Sequence, residues 1–280
     1  MISIPSQNLY EKNIDGKFIY IRHGETQYNH NSKTIAKKII KVDPQYLDSH
    51  LSQKGINQAK HLQSEINKLD IEQIYVSPLF RALETVTLML ENHPKIKEII
   101  VKVHPLITET VSGVHDFPKS IQKTKEKFNM NSKVKIDWIL FDSLFTDEKH
   151  QELFFIDYID QLNEKCKSEI ISKIEKAYQE NKSDLPKLFG FLSKVGVDKG
   201  LARLESLKHM FERNLKFKEF LKETHKSTIN ETNKKVLVVT HSAYSKMATT
   251  LEAYGMTEIK DFPNDAYKLD NCEMISMIIK

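Results

Sequence analysis

Lys17–Asn29 reads KFIYIRHGETQYN. Its opening is short, apolar and β-prone and stops at Arg22-His23-Gly24, the mark of a buried strand that delivers polar residues at its carboxyl end. In open α/β sheets ligands bind at that end of the strands. A cation (Arg22), an imidazole (His23), a flexible backbone (Gly24) and an amide (Asn29) gathered there can hold a tetrahedral anion. Arg forks and amide N–H groups suit phosphate oxygens, and a neutral imidazole nitrogen is a good nucleophile near neutral pH. Gly24 is expected to let the backbone approach the ligand closely.

Outward from that stretch, Ser52–Leu69 carries Ile56, Ala59, Leu62, Ile66 and Leu69 at helical spacing behind Ser52 as cap. Further strands are expected at Ile74–Val76, Ile99–Val103, Val236–Thr240 and Glu273–Ile279. A helix opening at Ser77-Pro78, with Pro78 in its first turn, should run to about Leu90. Strands alternating with helices predict a largely parallel sheet covered on both faces. Between about Val114 and Lys235 the pattern changes to Lys- and Glu-rich helical segments. Helices are expected over Ile156–Glu180 and over Lys199–Glu223, the second with a stripe of Leu204, Leu207, Phe211, Leu215 and Phe220. Trp138, Phe141, Phe145, Phe154 and Phe155 read as core of this helical part.

The 280 residues suffice for one large α/β domain, 1–280, with a helical insertion at about 114–200. Lys+Arg number 42 against 38 Asp+Glu, a net charge of +4 that is too small and too dispersed for a nucleic-acid footprint. Only Arg22, Arg81, Arg203 and Arg213 interrupt a basic set otherwise made of Lys, so each is worth inspecting. Cys166 and Cys272 form neither zinc spacing nor a disulfide framework, which suits a reducing compartment. Met1–Asn13 has no basic start and no apolar run, and no apolar stretch of membrane-spanning length occurs. A cytoplasmic, soluble protein without membrane attachment is expected, and nothing in the sequence specifies how chains associate.

Three further segments supply what the first lacks. Arg81 follows the second strand in a first helical turn, where it can face the same strand ends. Glu109 lies beyond the end of the third strand, shortly before Gly113, and offers the proton donor that an alkoxide leaving group requires. His241 ends the Val236–Thr240 strand, where a protonated imidazole would neutralise charge on a transferring phosphoryl group.

Together these residues resemble the histidine phosphatase superfamily, the phosphoglycerate-mutase-like branch. Arg22, His23, Gly24, Glu25, Thr26 and Asn29 match its R-H-G-E-T-x-x-N signature. Leu51-Ser52, Gly55, Gln58-Ala59, Ser77-Pro78-Leu79, Arg81-Ala82, Thr85, Leu106, Glu109, Gly113, Glu205-Ser206, Arg213 and Val239-Thr240-His241 follow in the family's order. The resemblance covers Phe18–Gly113 and roughly Glu205–Ile279. It implies a three-layer α/β/α sandwich in which His23 becomes phosphorylated. Arg22, Asn29, Arg81 and His241 would bind the phosphoryl group, and Glu109 would act as general acid and then activate water. No metal and no cofactor are implied.

Glu84 stands where the family often has Gln, and Ser242 where it often has Gly. Because Thr110–His115 does not resemble the acid segment of cofactor-dependent mutases, hydrolysis is favoured over mutase-type transfer. A catalytically silent phospho-ligand binder is a further alternative, disfavoured by the full set of site residues. The expected partner is a small-molecule or protein phosphate ester.

Overall fold

In the computed structural model, which describes residues 14–254, 259, 262–263, 266–277 and 279, six strands are seen. They are β1 (Phe18–Arg22), β2 (Asp70–Val76), β3 (Ile100–Val103), β4 (Lys135–Asp137), β5 (Lys234–Thr240) and β6 (Met274–Met277). Met1–Asn13, read above for a leader, and Ile278 of the last expected strand lie outside the described residues. The sheet order is β4-β3-β2-β5-β1-β6, parallel throughout except for the antiparallel edge strand β6.

Side-chain alternation along these strands creates the layers. Ile19 and Ile21 of β1, Ile74 and Val76 of β2, and Leu237 and Val239 of β5 enter one buried cluster. Their neighbours Phe18, Tyr20, Tyr75, Val236 and Val238 enter the other. The helices include α1 (Gln27–Asn31), α2 (Gln53–His61), α3 (Phe80–Leu90), α4 (Ile121–Asn131), α5 (Glu164–Glu180), α6 (Leu185–Asp198), α7 (Leu207–Thr224) and α8 (Ser242–Tyr254), with further short helices at Lys37–Ile40, Gln63–Ile66, Ile139–Leu144 and Glu148–Glu152. Ala59 of α2 and Ala82, Leu83, Val86 and Met89 of α3 cover the first face. Phe217 and Leu221 of α7 and Tyr244 and Ala248 of α8 cover the second. The result is the α/β/α sandwich, and Trp138, Phe141, Phe145, Phe154 and Phe155 are buried in the first cluster.

Register sets the working end. Arg22 pairs with Thr240 and Val76 with Val239, so β1, β2 and β5 finish almost level. The ladder continues one step past them, His23 N–H donating to Thr240 O at 3.0 Å and Ser77 N–H to Val239 O at 3.1 Å.

Several boundaries differ from the periodicity. The Ser52–Leu69 helix breaks after His61 and resumes over Gln63–Ile66. Pro78 precedes the cap Leu79 rather than occupying the first turn of α3. The Ile156–Glu180 helix is instead a 3-10 turn, Phe154–Tyr158, followed by α5, whose cap Asn163 accepts from Cys166 N–H. The Lys199–Glu223 helix begins only at Leu207: Gly200 is left-handed, at φ 71°, and Ser206 caps the first turn. Its buried residues are Met210, Phe211, Arg213, Asn214, Phe217 and Leu221, so Phe211 of the expected stripe is buried and Leu215 is exposed. The stretch 114–200 also supplies the strand β4 at the sheet edge.

Two glycines bring the signature segment against α2. A Cβ on Gly24 would lie 2.6 Å from Gly55 O, and one on Gly55 would lie 2.0 Å from Glu25 O. Gly24 thus serves an approach of backbone to backbone. Ser52 N–H donates to Glu25 O at 2.8 Å and Glu25 N–H to Gln58 Oε1 at 2.9 Å, fixing that contact. Gly55→Ala is expected to lower unfolding free energy by about 3 kcal/mol, since core overpacking here falls on backbone that cannot swing aside. Urea denaturation checks this, and an unchanged midpoint would refute it.

Candidate active site

Arg81 sits at the centre of the strand ends, on the first turn of α3, and is 3% exposed. Its Nε–H is shared between His23 Nε2 at 3.3 Å and His241 Nδ1 at 3.2 Å. Nη1 donates to His115 O at 2.8 Å and Nη2 to Asp116 Oδ1 at 3.0 Å. Asp116 Oδ2 in turn accepts from Ser112 N–H at 3.0 Å and Ser112 Oγ–H at 2.8 Å, so the carboxylate is held rigidly.

These bonds assign both imidazole tautomers. His23 Nδ1 lies 2.7 Å from Gly24 O, which can only accept, so Nδ1 carries the proton and Nε2 keeps its lone pair toward Arg81. His241 Nδ1 accepts from Arg81, so its Nε2–H donates to Ser77 Oγ at 2.7 Å. Burial, then Arg81, pushes both imidazoles well below the ordinary histidine range, with Arg22 adding to the effect. Both shifts favour the neutral imidazole.

Glu109 is placed by two anchors. A bidentate buried pair, Arg213 Nε to Glu205 Oε1 at 2.7 Å and Nη2 to Oε2 at 2.9 Å, grips the preceding loop. From it Arg213 Nη1 donates to Leu106 O at 2.6 Å and to Thr108 O at 3.2 Å. The Glu109 carboxylate then meets the N-terminus of α8, accepting from Ala243 N–H at 3.2 Å and Tyr244 N–H at 3.3 Å. Such contacts favour the anion, but burial first and the charge of Asp116 second prevail, and its pKa is raised.

Arg22, His23, Asn29, Arg81 and Glu109 line one polar cavity of ≈ 370 Å³. That is the size of a small-ligand site. His241, fully buried, is not among the lining residues and contacts them through Arg81. Asn29 Oδ1 is committed to Thr26 N–H in a capping box, which leaves its NH₂ group for a ligand. Arg22 Nη1 donates to Leu269 O at 2.8 Å, whereas its Nε is buried without a partner among the described residues, as are Thr110 Oγ1 and His115 Nδ1 on the same cavity.

Sequence reading missed His115 and Asp116. They arrive by the 3-10 turn Val114–Asp116, and the signal was the polar pair His115-Asp116, separated from Gly113 by one residue. Lys37, Lys41, Arg203 and Lys268 also line the cavity.

The stretch that builds this arrangement, residues 18–129, matches the family model described as histidine phosphatase superfamily (branch 1). Over those residues the chain is similar to that superfamily. His241, Glu205 and Arg213 lie beyond the matched residues. A protein of Schizosaccharomyces pombe described as a probable phosphatase is 31% identical over 117 residues, 40% of this chain and 50% of that protein, so the match spans about half of the relative. Among solved structures, a phosphoglycerate mutase from Bacillus anthracis is 16% identical with a TM-score of 0.44, covering 88% of this chain and 83% of its own. A phosphoserine phosphatase from Entamoeba histolytica, in complex with 3-phosphoglyceric acid, is 19% identical with a TM-score of 0.43 over 92% and 88% of the two chains.

Because Asp116 anchors the end of the Arg81 fork remote from the imidazoles, Asp116→Ala should release the fork. Nitrogen NMR of labelled histidines is expected to show His23 passing from one tautomer to a mixture, and stability to fall by about 3 kcal/mol as a buried charge loses its partner. An unchanged His23 spectrum would contradict this account of Arg81.

Proposed function

We propose that the protein hydrolyses phosphoric monoesters through a phosphohistidine formed on His23. The observation that carries this reading is the His23 Nδ1–H···O bond to Gly24, which commits the proton to one nitrogen and leaves the Nε2 lone pair at the cavity beside Arg81. Arg22, through its unpartnered Nε, and the Asn29 amide are suited to the phosphoryl oxygens.

His23 Nε2 attacks phosphorus, the P–O bond to the alcohol breaks, and Glu109 gives its proton to the departing oxygen. The resulting Glu109 carboxylate then takes a proton from water, whose oxygen attacks phosphorus, breaks the P–N bond and restores His23. The titration directions serve both steps. A lowered His23 pKa keeps the nucleophile neutral at pH values where an ordinary histidine would be protonated. A raised Glu109 pKa keeps the acid protonated further toward neutrality. Arg81 holds one N–H on the nucleophile and can neutralise charge as the phosphoryl group transfers.

Mutase-type transfer would use the same first step and return the phosphoryl group to a second alcohol. A silent binder would make neither step.

Release of phosphate from an aryl phosphate is expected to persist in the presence of a chelator and to disappear in His23→Ala. Robust release by the variant would sink the assignment of His23, and none from the native chain would favour the mutase or the binder. Glu109→Gln is expected to slow alkyl phosphate hydrolysis by roughly 10²–10⁴-fold, the usual worth of a general acid. With dinitrophenyl phosphate, whose leaving group needs no proton, the variant should retain a stoichiometric burst of dinitrophenol and lose only turnover. Equal losses on both substrates in the burst phase would remove Glu109 from the role of acid.

A further inference from the structure

The cavity holds more positive charge than one phosphoryl group needs. Among the described residues that line it, six are Lys or Arg, two carry carboxyl groups, and the only apolar side chains are Ala202 and Ala243. Arg22 and Arg81 serve the end at His23, and Asp116 already neutralises Arg81. Lys37 and Lys41 come from the short helix Lys37–Ile40 and the residue that follows it, and Lys268 from the segment before β6.

Among the described residues no carboxylate lies within ion-pair distance of any of these three lysines; Lys41 Nζ donates to Ala202 O at 2.9 Å. Some surface lysines elsewhere, Lys33, Lys95, Lys149 and Lys182 among them, pair with carboxylates. The unpaired ones also face one another's fields. Burial and then Arg22 hold Lys268 below the usual lysine range, with Lys37 contributing. Burial does the same at Lys41, where Arg203 and Lys37 act against the pull of Asp116. Like charges gathered around one water-filled space without counterions of their own make a site for an anion.

We infer that the alcohol half of the substrate carries a second phosphate group, which Lys37, Lys41 and Lys268 recognise while the scissile phosphate sits at His23. The inference rests on the hydrolase reading for which phosphate is cleaved, and its test reads binding alone. The cavity's near lack of apolar lining disfavours an ester of a large hydrophobic alcohol, which would bury its surface against charged groups.

The test is calorimetric titration of the full native chain with propane-1,3-diphosphonate and with propylphosphonate, a pair that differs in one anionic group and cannot be hydrolysed. The diphosphonate is expected to bind about tenfold tighter or better, as several partly desolvated cations around a dianion would give. In Lys37→Gln/Lys268→Gln, both at exposed positions, with folding checked by circular dichroism, that advantage is expected to shrink about fivefold or more. Equal binding of the two probes by the native chain, or an advantage unchanged in the double variant, would overturn the inference. Aryl phosphate turnover, run in parallel, keeps the two readings apart. Its absence with the diphosphonate preference intact would sink the hydrolase and leave the second anion site, and turnover without the preference would do the reverse.

Discussion

One N–H organises this site. Arg81 Nε points its single proton between two imidazole nitrogens, 3.3 Å from His23 Nε2 and 3.2 Å from His241 Nδ1. A shared donor requires a lone pair from each ring, so both histidines stay neutral and each has its second nitrogen protonated toward a fixed acceptor. That demand reaches far into the fold. Gly24 must present its carbonyl to His23, Ser77 its hydroxyl to His241, and the far side of the guanidinium needs the His115 carbonyl and the Asp116 carboxylate. Three strand ends and the turn at Val114–Asp116 are thereby tied to one planar group, whose rigid fork a lysine could not replace.

The energetic conflict lies in burying so much charge. Arg81, Asp116, Glu205 and Arg213 are all withdrawn from water, and burying an unpaired charge costs several kcal/mol. Pairing resolves most of it: Asp116 faces Arg81, and Glu205 faces Arg213 through two bonds. Glu109 differs, a half-buried carboxyl at the cavity with backbone N–H groups but no cation of its own within ion-pair distance among the described residues. Its raised affinity for a proton is the expected consequence.

Much of this was legible from the chain. The KFIYI run and the residues after it give β1 and its polar end, because a strand buried on both faces leaves a continuous apolar run and an abrupt stop. Arg81, Glu109 and His241 could be found because each follows such a stop. His115 and Asp116 could not be found in that way, since they approach through a short 3-10 turn with no periodicity. Lys37, Lys41 and Lys268 are hidden by type in a lysine-rich chain, and only the cavity distinguishes them. The Lys199–Glu223 helix was misplaced because an apolar spacing that fits 3.6 residues ran through Gly200, where the backbone turns left-handed, and past the capping Ser206.

The long excursion between β3 and α7 is pinned where it leaves and where it returns. Val114 N–H donates to Lys41 O at 2.8 Å, and Leu204 N–H returns to Val111 O at 2.6 Å, three residues from the departure point. A loop whose two ends are fastened together in this way can lengthen at small entropic expense, since closure entropy grows only with the logarithm of length. Its outer helices can drift in sequence and size while the ground beneath Glu109 stays still. Yet the last residues before the fastening, Ala202 and Arg203, stand in the cavity wall. Growth of the excursion thus offers evolution a way to retailor what the cavity admits without touching the groups that surround His23.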